Sequence, residues 1–304
     1  MIQHRWGETM ITRNPKIDGS ATTVQSLLHD MKKNDPQEFR VEGTRQVPDW
    51  RGVNNHFQGI APINGEASIT GDISASADKA WFANFLQGSS SPSVVQGVWT
   101  TQYYNHAGGI QRTGEILALP LENDDGGSTV AFFQGTRYLY ELDLPDGDKA
   151  SAAAITTFTD SAGVEQALLL VYRYDPKSFN IYRAPADSIV TNTWVRVGET
   201  SEISGREQYQ CFALVAQTST AGVEDNVYLV GLREDEKVVL FSLVTLGSFF
   251  GELAELEQYQ FDGSQWRYGV GLQIVSSTRI RIFGCSEDPS GDRDDYHFPI
   301  YVWG

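Results

Sequence analysis

A hexapeptide that begins with asparagine and histidine occurs twice in this chain, and its histidines are the residues best suited to chemistry. The copies are residues 55–60 (NHFQGI) and 105–110 (NHAGGI), and they start 50 residues apart. Imidazoles that converge at one site can transfer protons or ligate a metal ion. We expect His56 and His106 to converge if the repeats surround an axis. The plainer alternative is that each histidine packs or hydrogen-bonds within its own repeat.

Acidic residues that follow predicted strands are a second group of candidates. Glu122 and Glu287 fall at nearly equivalent positions of their repeats. Two carboxylates about 5–10 Å apart could hydrolyse a glycosidic bond, or together with carbonyl groups could bind Ca²⁺. Asp and Asn are also ordinary turn residues, so a purely structural role is the alternative. Residues 288–295 contain four acids but lack the spacing of an EF-hand loop.

We expect one ligand site, located where the innermost strands of the repeats begin. Its candidate residues are Asn55, His56, Asn105, His106, Gln111, Glu122, Gln210 and Glu287. No serine nucleophile elbow, phosphate-binding glycine loop, HExxH or CxxC motif occurs in the chain. The sequence therefore predicts no cofactor and assigns neither a catalytic residue nor a metal ligand.

The elements that must position these residues are short strands. From residue 37 onward, apolar stretches alternate with Gly, Asp, Asn, Ser and Pro, which is typical of a sandwich, barrel or propeller. The stretches fall into five groups. The predicted strands are 56–63, 66–73, 80–86 and 97–104; 106–113, 116–122, 129–134 and 138–144; 152–158, 166–173, 179–184 and 194–199; 211–218, 227–232, 238–243 and 256–261; and 271–275, 279–285 and 298–303.

The last group lacks a fourth strand, and residues 39–47 supply a spare one. A strand from one end of the chain that completes a blade at the other end closes the ring of a propeller. The sequence therefore predicts an all-β, five-bladed β-propeller at residues 37–304, with four-stranded blades. The longer connections at 198–208, 217–226, 245–255 and 287–296 are expected on its faces.

The first 36 residues are predicted to be an extension outside the repeat. Val24, Leu27, Leu28 and Met31 form one apolar helix face, which predicts a helix over 22–33 that packs on the main domain. Ser20 or Thr22 is the expected N-cap.

Glycines and aromatic residues have plainer explanations. Gly59, Gly108, Gly109 and Gly271 fall where inner strands crowd the axis, so a missing Cβ would allow close backbone approach. Most aromatic residues are expected between blades, and two or three are expected to have a surface role. The candidates for that role are Trp99, Tyr103, Tyr104, Trp194, Trp266, Tyr268 and Tyr296.

Charge and composition exclude several functions. The net charge of −16 repels nucleic acid and anionic membranes, so neither is expected as a partner. Cys211 and Cys285 are the two cysteines, and we interpret them as two separate buried thiols rather than a bridge. Neither a signal peptide nor a membrane-spanning stretch is found in the sequence. A soluble protein is expected, and its compartment is not predicted.

One segment resembles a known group of proteins. Residues 106–122 read HAGGIQRTGEILALPLE. This segment is similar to a motif of uncharacterised microbial β-propeller proteins, in which it forms an inner strand, a turn and a second strand that ends in an acidic residue. The resemblance is at motif level over residues 50–285. It implies a propeller and no defined activity.

Two functions remain open from the sequence. The main prediction is a non-enzymatic propeller that presents one face to a small molecule, a glycan or a protein. The alternative is a hydrolase or lyase at the mouth of the central channel. In it, His56 and His106 would act as acid, base or metal ligands and Glu122 or Glu287 as the carboxylate.

Overall fold

The computed structural model is built mainly of β-strands. It describes residues 13–42, 55–63, 66–73, 79–86, 93–101, 103–104, 106–123, 127–145, 147–203, 209–246, 249–261, 266, 269–285 and 297–304. The helix is α1 (Val24–Met31). The strands are β1 (Gln37–Glu42), β2 (Asn55–Ile63), β3 (Glu66–Ile73), β4 (Lys79–Leu86), β5 (Ser93–Thr100), β6 (His106–Ala107), β7 (Gln111–Thr113), β8 (Ile116–Glu122), β9 (Ser128–Gln134), β10 (Arg137–Asp143), β11 (Ala150–Thr159), β12 (Glu165–Arg173), β13 (Ser178–Pro185), β14 (Val195–Glu199), β15 (Tyr209–Gln217), β16 (Asn226–Arg233), β17 (Lys237–Leu246), β18 (Phe249–Gln260), β19 (Val270–Ser276), β20 (Arg279–Cys285) and β21 (His297–Trp303).

These strands form five antiparallel ladders, which we number along the chain. Sheet 1 is β2-β3-β4-β5, and sheet 2 has β8-β9-β10 with both β6 and β7 paired to β8. Sheet 3 is β11-β12-β13-β14, and sheet 4 is β15-β16-β17-β18. Sheet 5 is β19-β20-β21-β1, so the N-terminal strand pairs with the last strand of the chain. The predicted pairing of these two segments is confirmed, with Phe39 opposite Ile300.

Sheets 1 and 5 are joined at both edges. Gly59 of β2 pairs in parallel with Val270 of β19, and Val41 of β1 pairs in parallel with Ser93 of β5. The eight strands of these two sheets therefore follow one closed path of hydrogen bonds.

Apolar side chains form separate clusters between successive sheets. One cluster joins Phe82 of sheet 1 to Phe133 of sheet 2, and another joins Phe132 of sheet 2 to Tyr182 of sheet 3. A third includes Phe212 of sheet 4 and residues of sheet 3. This face-to-face packing buries strands on both sides, which explains why β8, β12 and β15 are almost continuously apolar rather than alternating.

Three predicted elements differ in detail. The strand predicted over 106–113 is split into β6 and β7. Gly108 N still donates to Pro120 O of β8, but Gly109 bonds to the backbone of Ser151 and Ala153 in sheet 3. The strand predicted over 97–104 occupies Ser93–Thr100. The predicted face loop 245–255 is the end of a long hairpin, in which β18 begins at Phe249 and pairs with β17.

The helix begins later and ends earlier than predicted. Its N-cap is Thr23, whose Oγ1 accepts from Ser26 N at 3.1 Å, whereas Ser20 hydrogen-bonds to Asp18 instead. Val24, Leu28 and Met31 are buried in the cluster of sheets 4 and 5, so the predicted packing of this face on the main domain is confirmed. None of the helices in the described part of the chain has the length and apolar character to cross a membrane.

Residues 13–18, which we call the N-terminal strap, cross the ends of four inner strands. Asn14 accepts from Gly114 N of sheet 2, and Lys16 contacts Thr159 of sheet 3. Ile17 forms a parallel bridge with the last residue of β15 in sheet 4. Asp18 N donates to Ser277 O of sheet 5 at 2.7 Å. One short segment therefore connects four sheets at the same end of the molecule.

Candidate functional site

His106 lies at the start of an inner strand, directly opposite Glu122. The two residues are partners in the antiparallel register of β6 and β8. Side chains at opposed positions of such a pair project to the same face, about 4.5–5.5 Å apart at Cβ. The local sequence produces this arrangement because a seven-residue apolar strand, β8, ends in the acidic residue at the edge where β6 begins.

The imidazole and the carboxylate are in direct contact. His106 Nδ1 lies 3.1 Å from Glu122 Oε1, and the two side chains are 25% and 20% exposed. Glu122 Oε2 is buried and makes no hydrogen bond within the described residues. Here Nδ1 lies within ion-pair distance of Glu122 but makes no aligned hydrogen bond within the described residues. An imidazole beside a carboxylate is a common arrangement for proton transfer. The pair can therefore support proton transfer.

The first copy of the hexapeptide has the same register. His56 of β2 is the backbone partner of Asp72 of β3, as His106 is of Glu122. In both copies the acid follows the histidine by 16 residues. This shared 16-residue spacing is a sequence signal for the histidine–acid pair. The sequence-based prediction did not use it. The structure does not describe the side chains of Asn55, His56 and Asp72, or residues 105 and 287. The site roles predicted for Asn55, His56, Asn105 and Glu287 therefore stay predictions.

The glycines after His106 bring three inner strands into contact. A Cβ added to Gly108 would lie 2.2 Å from Ser151 O of sheet 3, and one added to Gly109 would lie 2.4 Å from Gln210 O of sheet 4. One added to Gly59 would lie 2.6 Å from Ile110 N. The structural explanation predicted for these glycines is confirmed, because a side chain at any of them would collide with a neighbouring backbone.

Gln111 connects the inner strands of three sheets. It is almost completely buried, and its Oε1 accepts from Ile155 N and from Leu214 N, both at 2.8 Å. Its Nε2 donates to Leu214 O at 2.9 Å. The amide therefore fills the space between β7, β11 and β15 below His106. The structure places this predicted ligand contact in the interior, where its amide bonds backbone groups.

Gln210 is the predicted site residue nearest to the strand-crossing glycines. Its carbonyl oxygen is the atom that a Cβ on Gly109 would meet. Its side chain is partly buried, and its Oε1 makes no hydrogen bond within the described ranges. The structure thus brings His106, Glu122 and the backbone of Gln210 to one end of the inner strands, with Gln111 deeper in the interior.

Cys211 sits beside these residues but is not equipped to act as a nucleophile. Its Sγ lies 3.4 Å from Ile110 O, and complete burial raises the pKa of the thiol to about 12. The nucleophilic species is the thiolate, which such a pKa makes rare near neutral pH. Both cysteines are buried free thiols, as predicted.

The structure provides no preformed metal cluster in the part of the chain that it describes. Within those residues, no group of three or more His, Cys, Asp or Glu side chains is placed to hold an ion. The acidic segment 288–295 lies outside them. A metal held by His56 and His106 together therefore stays a prediction.

Tyr103 is the exposed aromatic residue next to the site. It is 76% exposed and precedes His106 by three residues, and its backbone N donates to Thr101 Oγ1. Trp194 and Trp266 are buried between sheets, and Tyr104 is partly buried. Residues 268 and 296, and the side chain of Trp99, lie outside the described set.

Comparison with known proteins finds solved structures that are similar to this chain, but it does not find a family to which the chain belongs. No protein-family model and no curated protein matches the chain. Among solved structures, a GH62 hydrolase in complex with xylotriose has 10% identity and a TM-score of 0.49, with 87% of this chain and 97% of that chain covered. The α-L-arabinofuranosidase PaAbf62A from Podospora anserina, in complex with cellotriose, has 12% identity and a TM-score of 0.44, with 88% of this chain and 96% of that chain covered. RS223-β-xylosidase has 9% identity and a TM-score of 0.46, with 82% of this chain and 92% of that chain covered.

These comparisons correct the main functional prediction. The similar structures are mostly hydrolases, which contradicts the prediction of a non-enzymatic binding protein. Of the two functional predictions, the alternative of a hydrolase is the one that remains. At such low identity and TM-score they assign no activity to this chain, so function must be argued from its own residues.

Proposed function

We propose that this protein is a hydrolase whose active site lies where the inner strands begin. The observation that carries the proposal is the 3.1 Å contact between His106 Nδ1 and Glu122 Oε1, with both side chains partly accessible. In this proposal Glu122 holds the Nδ1 proton, and His106 Nε2 acts as the general base. A water molecule loses a proton to Nε2 as its oxygen bonds to the substrate carbon. The bond to the leaving group breaks as its oxygen takes up a proton from solvent water, and the proton on Nε2 then returns to solvent.

The neighbouring polar residues are proposed to bind the substrate. Gln210 has a buried amide oxygen without a hydrogen bond in the described structure, and a substrate hydroxyl would satisfy it. We propose that His56 and Asp72 form a second pair like His106 and Glu122, because their backbone register is the same. Asn55, Asn105 and Glu287 complete the proposed site as ligand contacts.

A neutral glycan is the substrate class that the surroundings favour. Tyr103 presents an exposed ring three residues before His106, and aromatic faces stack on sugar rings. The chain carries a net charge of −16, which disfavours an acidic polysaccharide. An elimination reaction on uronic acids, the lyase alternative, is less compatible with that charge.

The scaffold is proposed to be a five-bladed propeller over residues 37–304. Its support is the antiparallel pairing of β1 with β21, the parallel pair between β19 and β2, and the apolar clusters between successive sheets. Inner strands that contact their neighbours in the order β2, β7, β11, β15, β19 and β2 also support closure. In this arrangement His106 lies at one mouth of the central axis and the N-terminal strap lies at the other.

The test is turnover of neutral glycosides by the full chain and by His106→Gln. A panel of aryl glycosides and neutral oligosaccharides is assayed for reducing-sugar release, with and without a chelator to reveal any metal requirement. We expect His106→Gln to lower kcat/KM about 10²–10⁴-fold, the typical contribution of general acid–base catalysis. Glu122→Gln should lower it less and shift the pH profile, because the imidazole remains but loses its anionic partner.

Two matched variants control for charge and for folding. His29→Gln changes an exposed histidine of α1, and Glu202→Gln changes an exposed glutamate after β14. Both should retain full activity and the same melting temperature as the parent. The proposal fails if His106→Gln turns over every substrate at the parent rate, or if the products are unsaturated sugars.

A further inference from the structure

A cavity of about 570 Å³ lies at the end of the inner strands opposite to His106. Its walls are the ends of β2 and β19, the β7–β8 and β9–β10 turns, and residues 13–15 of the N-terminal strap. Small-molecule sites usually have volumes of about 300–1,000 Å³ and a mostly apolar lining with a few fixed polar groups. The cavity is separated from His106 by the buried Gln111, so it is not part of the site described above.

The polar walls of the cavity are held in place by the protein. The Arg112 guanidinium is buried and donates to Ser68 Oγ, to Asn84 Oδ1 at 3.2 Å and to Glu115 O at 3.3 Å. Asn14 of the strap donates to Arg112 O and accepts from Gly114 N. Groups that are already fixed lose little entropy when a ligand binds, which favours affinity.

Gln273 supplies the observation that points to a ligand. This lining residue is only 6% exposed, and its amide oxygen is buried without a hydrogen-bond partner within the described residues. A buried acceptor with no partner is costly and uncommon in folded proteins. The terminal torsion of glutamine is broad, so rotation of the amide would present this oxygen to a donor in the cavity that the residue lines.

The remaining polar groups decide which kind of ligand fits. Arg13 donates to Asp187 and lies 3.8 Å from Glu165, and Arg112 donates to acceptors of the protein, so a ligand carboxylate or phosphate would have to compete with partners already in place. The acceptors Gln273 and Glu115 call for hydroxyl donors. Ile63 and Val275 provide apolar walls for C–H faces.

We propose that this cavity is a second binding site, which takes an uncharged, hydroxyl-rich small molecule of the sugar type. Gln273 accepts from a ligand hydroxyl, Glu115 accepts from another, and the apolar wall packs against the ring. The site is independent of the hydrolysis proposed at His106, since no residue is shared between the two.

The experiment measures binding of defined neutral sugars to the full chain. Glucose, galactose, xylose, arabinose and maltose are titrated calorimetrically and by ligand-observed NMR against the parent and four variants. Gln273→Leu removes the acceptor at nearly constant volume, and Val275→Trp fills the cavity from a half-buried position. Gln258→Leu, at an exposed glutamine of β18, is the matched control, and His106→Gln tests the other site.

We expect Gln273→Leu and Val275→Trp each to weaken the binding of at least one sugar tenfold or more. Gln258→Leu should bind as the parent does. If Gln273→Leu does not fold, the sugar binding measured for Val275→Trp alone tests the proposal. The proposal is overturned if no sugar of the panel binds, if only sugar acids or phosphate bind, or if His106→Gln abolishes binding while the cavity variants retain it.

The same variants keep the two proposals apart. Turnover that is lost in His106→Gln while sugar binding persists supports both sites. Turnover that persists in Gln273→Leu while binding is lost supports the cavity as a separate site. Absence of turnover in the parent would refute the proposed hydrolase and leave the result for the cavity intact.

Discussion

Gly109 is one of the residues at which the inner strands approach each other closely around the site. We predict that Gly109→Ala lowers the free energy of unfolding by at least about 1–3 kcal/mol, the usual cost of overpacking. The reason is that the new Cβ would lie 2.4 Å from Gln210 O and 2.9 Å from the Cα of Cys211. Chemical denaturation of the purified variant measures the change.

Gly127 is the matched control for this substitution. A Cβ added there meets no atom within 4 Å, so Gly127→Ala should leave stability nearly unchanged. Equal stability losses in the two variants would contradict the crowding explanation.

Cys211 offers a second prediction at this scale. Because burial raises the pKa of its thiol to about 12, the native protein should resist alkylation at pH 8. Mass spectrometry after iodoacetamide treatment should find Cys211 unmodified in the native protein and modified after denaturation. Rapid modification of the native protein would show that this part of the site opens to solvent.

The residue types at the site were predictable, but their partners were only partly so. Repetition of the hexapeptide identified His106, and Glu122 was recognised from its place at the end of a strand. The contact between them follows from a hairpin register that the shared 16-residue spacing encodes. The interior position of Gln111 was not predicted, because nothing in its immediate sequence indicates that its amide reaches the backbones of two other sheets.

At the scale of elements, one amide links β7, β11 and β15. We predict that Gln111→Leu lowers the free energy of unfolding by about 2–6 kcal/mol. The backbone N–H groups of Ile155 and Leu214 would lose their acceptor, at about 1–3 kcal/mol each. Gln258→Leu on exposed β18 is the control and should cost little. A loss below 1 kcal/mol for Gln111→Leu would show that water replaces the amide.

Because tyrosines are buried between sheets 2, 3 and 4, we predict that the free energy of unfolding falls at alkaline pH. Burial raises the pKa of Tyr172 and of Tyr182 to about 12, from an ordinary value near 10. The folded state therefore holds these protons more tightly than the unfolded chain does. Their stabilising contribution is complete below pH 10 and is lost as the pH rises through 12.

Denaturation at several pH values between 8 and 12 measures this effect. Tyr182→Phe should flatten the alkaline slope, since its hydroxyl makes no hydrogen bond within the described residues and its removal costs little. An unchanged slope in Tyr182→Phe would assign the alkaline loss to other groups.

Strand identity was easier to predict than strand ends. Strands β3, β8 and β20 occupy the predicted ranges because Gly, Asn or Ser lies just outside at least one end. The split between β6 and β7 was not predicted, since it depends on the contact of Gly108 and Gly109 with other sheets. Long-range contacts of this kind leave no periodic signal in the local sequence.

At the scale of the whole molecule, the N-terminal strap holds four sheets together. Lys16 Nζ lies 2.7 Å from Asp225 Oδ2, and the Asp225 side chain is only 5% exposed. We predict that Lys16→Met lowers the free energy of unfolding by about 1–3 kcal/mol, because it leaves a buried carboxylate without its cation. Lys33→Met, which removes an exposed pair with Asp30, should cost clearly less than Lys16→Met.

Thermal or chemical unfolding of the two lysine variants provides the test. Equal effects would mean that the strap contributes no more than an ordinary surface segment. The sequence predicted residues 1–36 as an extension outside the propeller, and it gave no sign that residues 13–18 reach the ends of four inner strands. Charged residues at a chain terminus resemble solvated surface unless their distant partners are known.

The buried amide of Gln111 also has a consequence for the entry of substrate and the release of product. For a propeller whose axis is closed by this amide, a molecule that diffuses in to His106 has to leave by the same opening. Departing product and arriving substrate then compete for one entrance. For the proposed hydrolase, the expected kinetic signature is competitive inhibition by product, with a stronger effect for products that retain more sugar units.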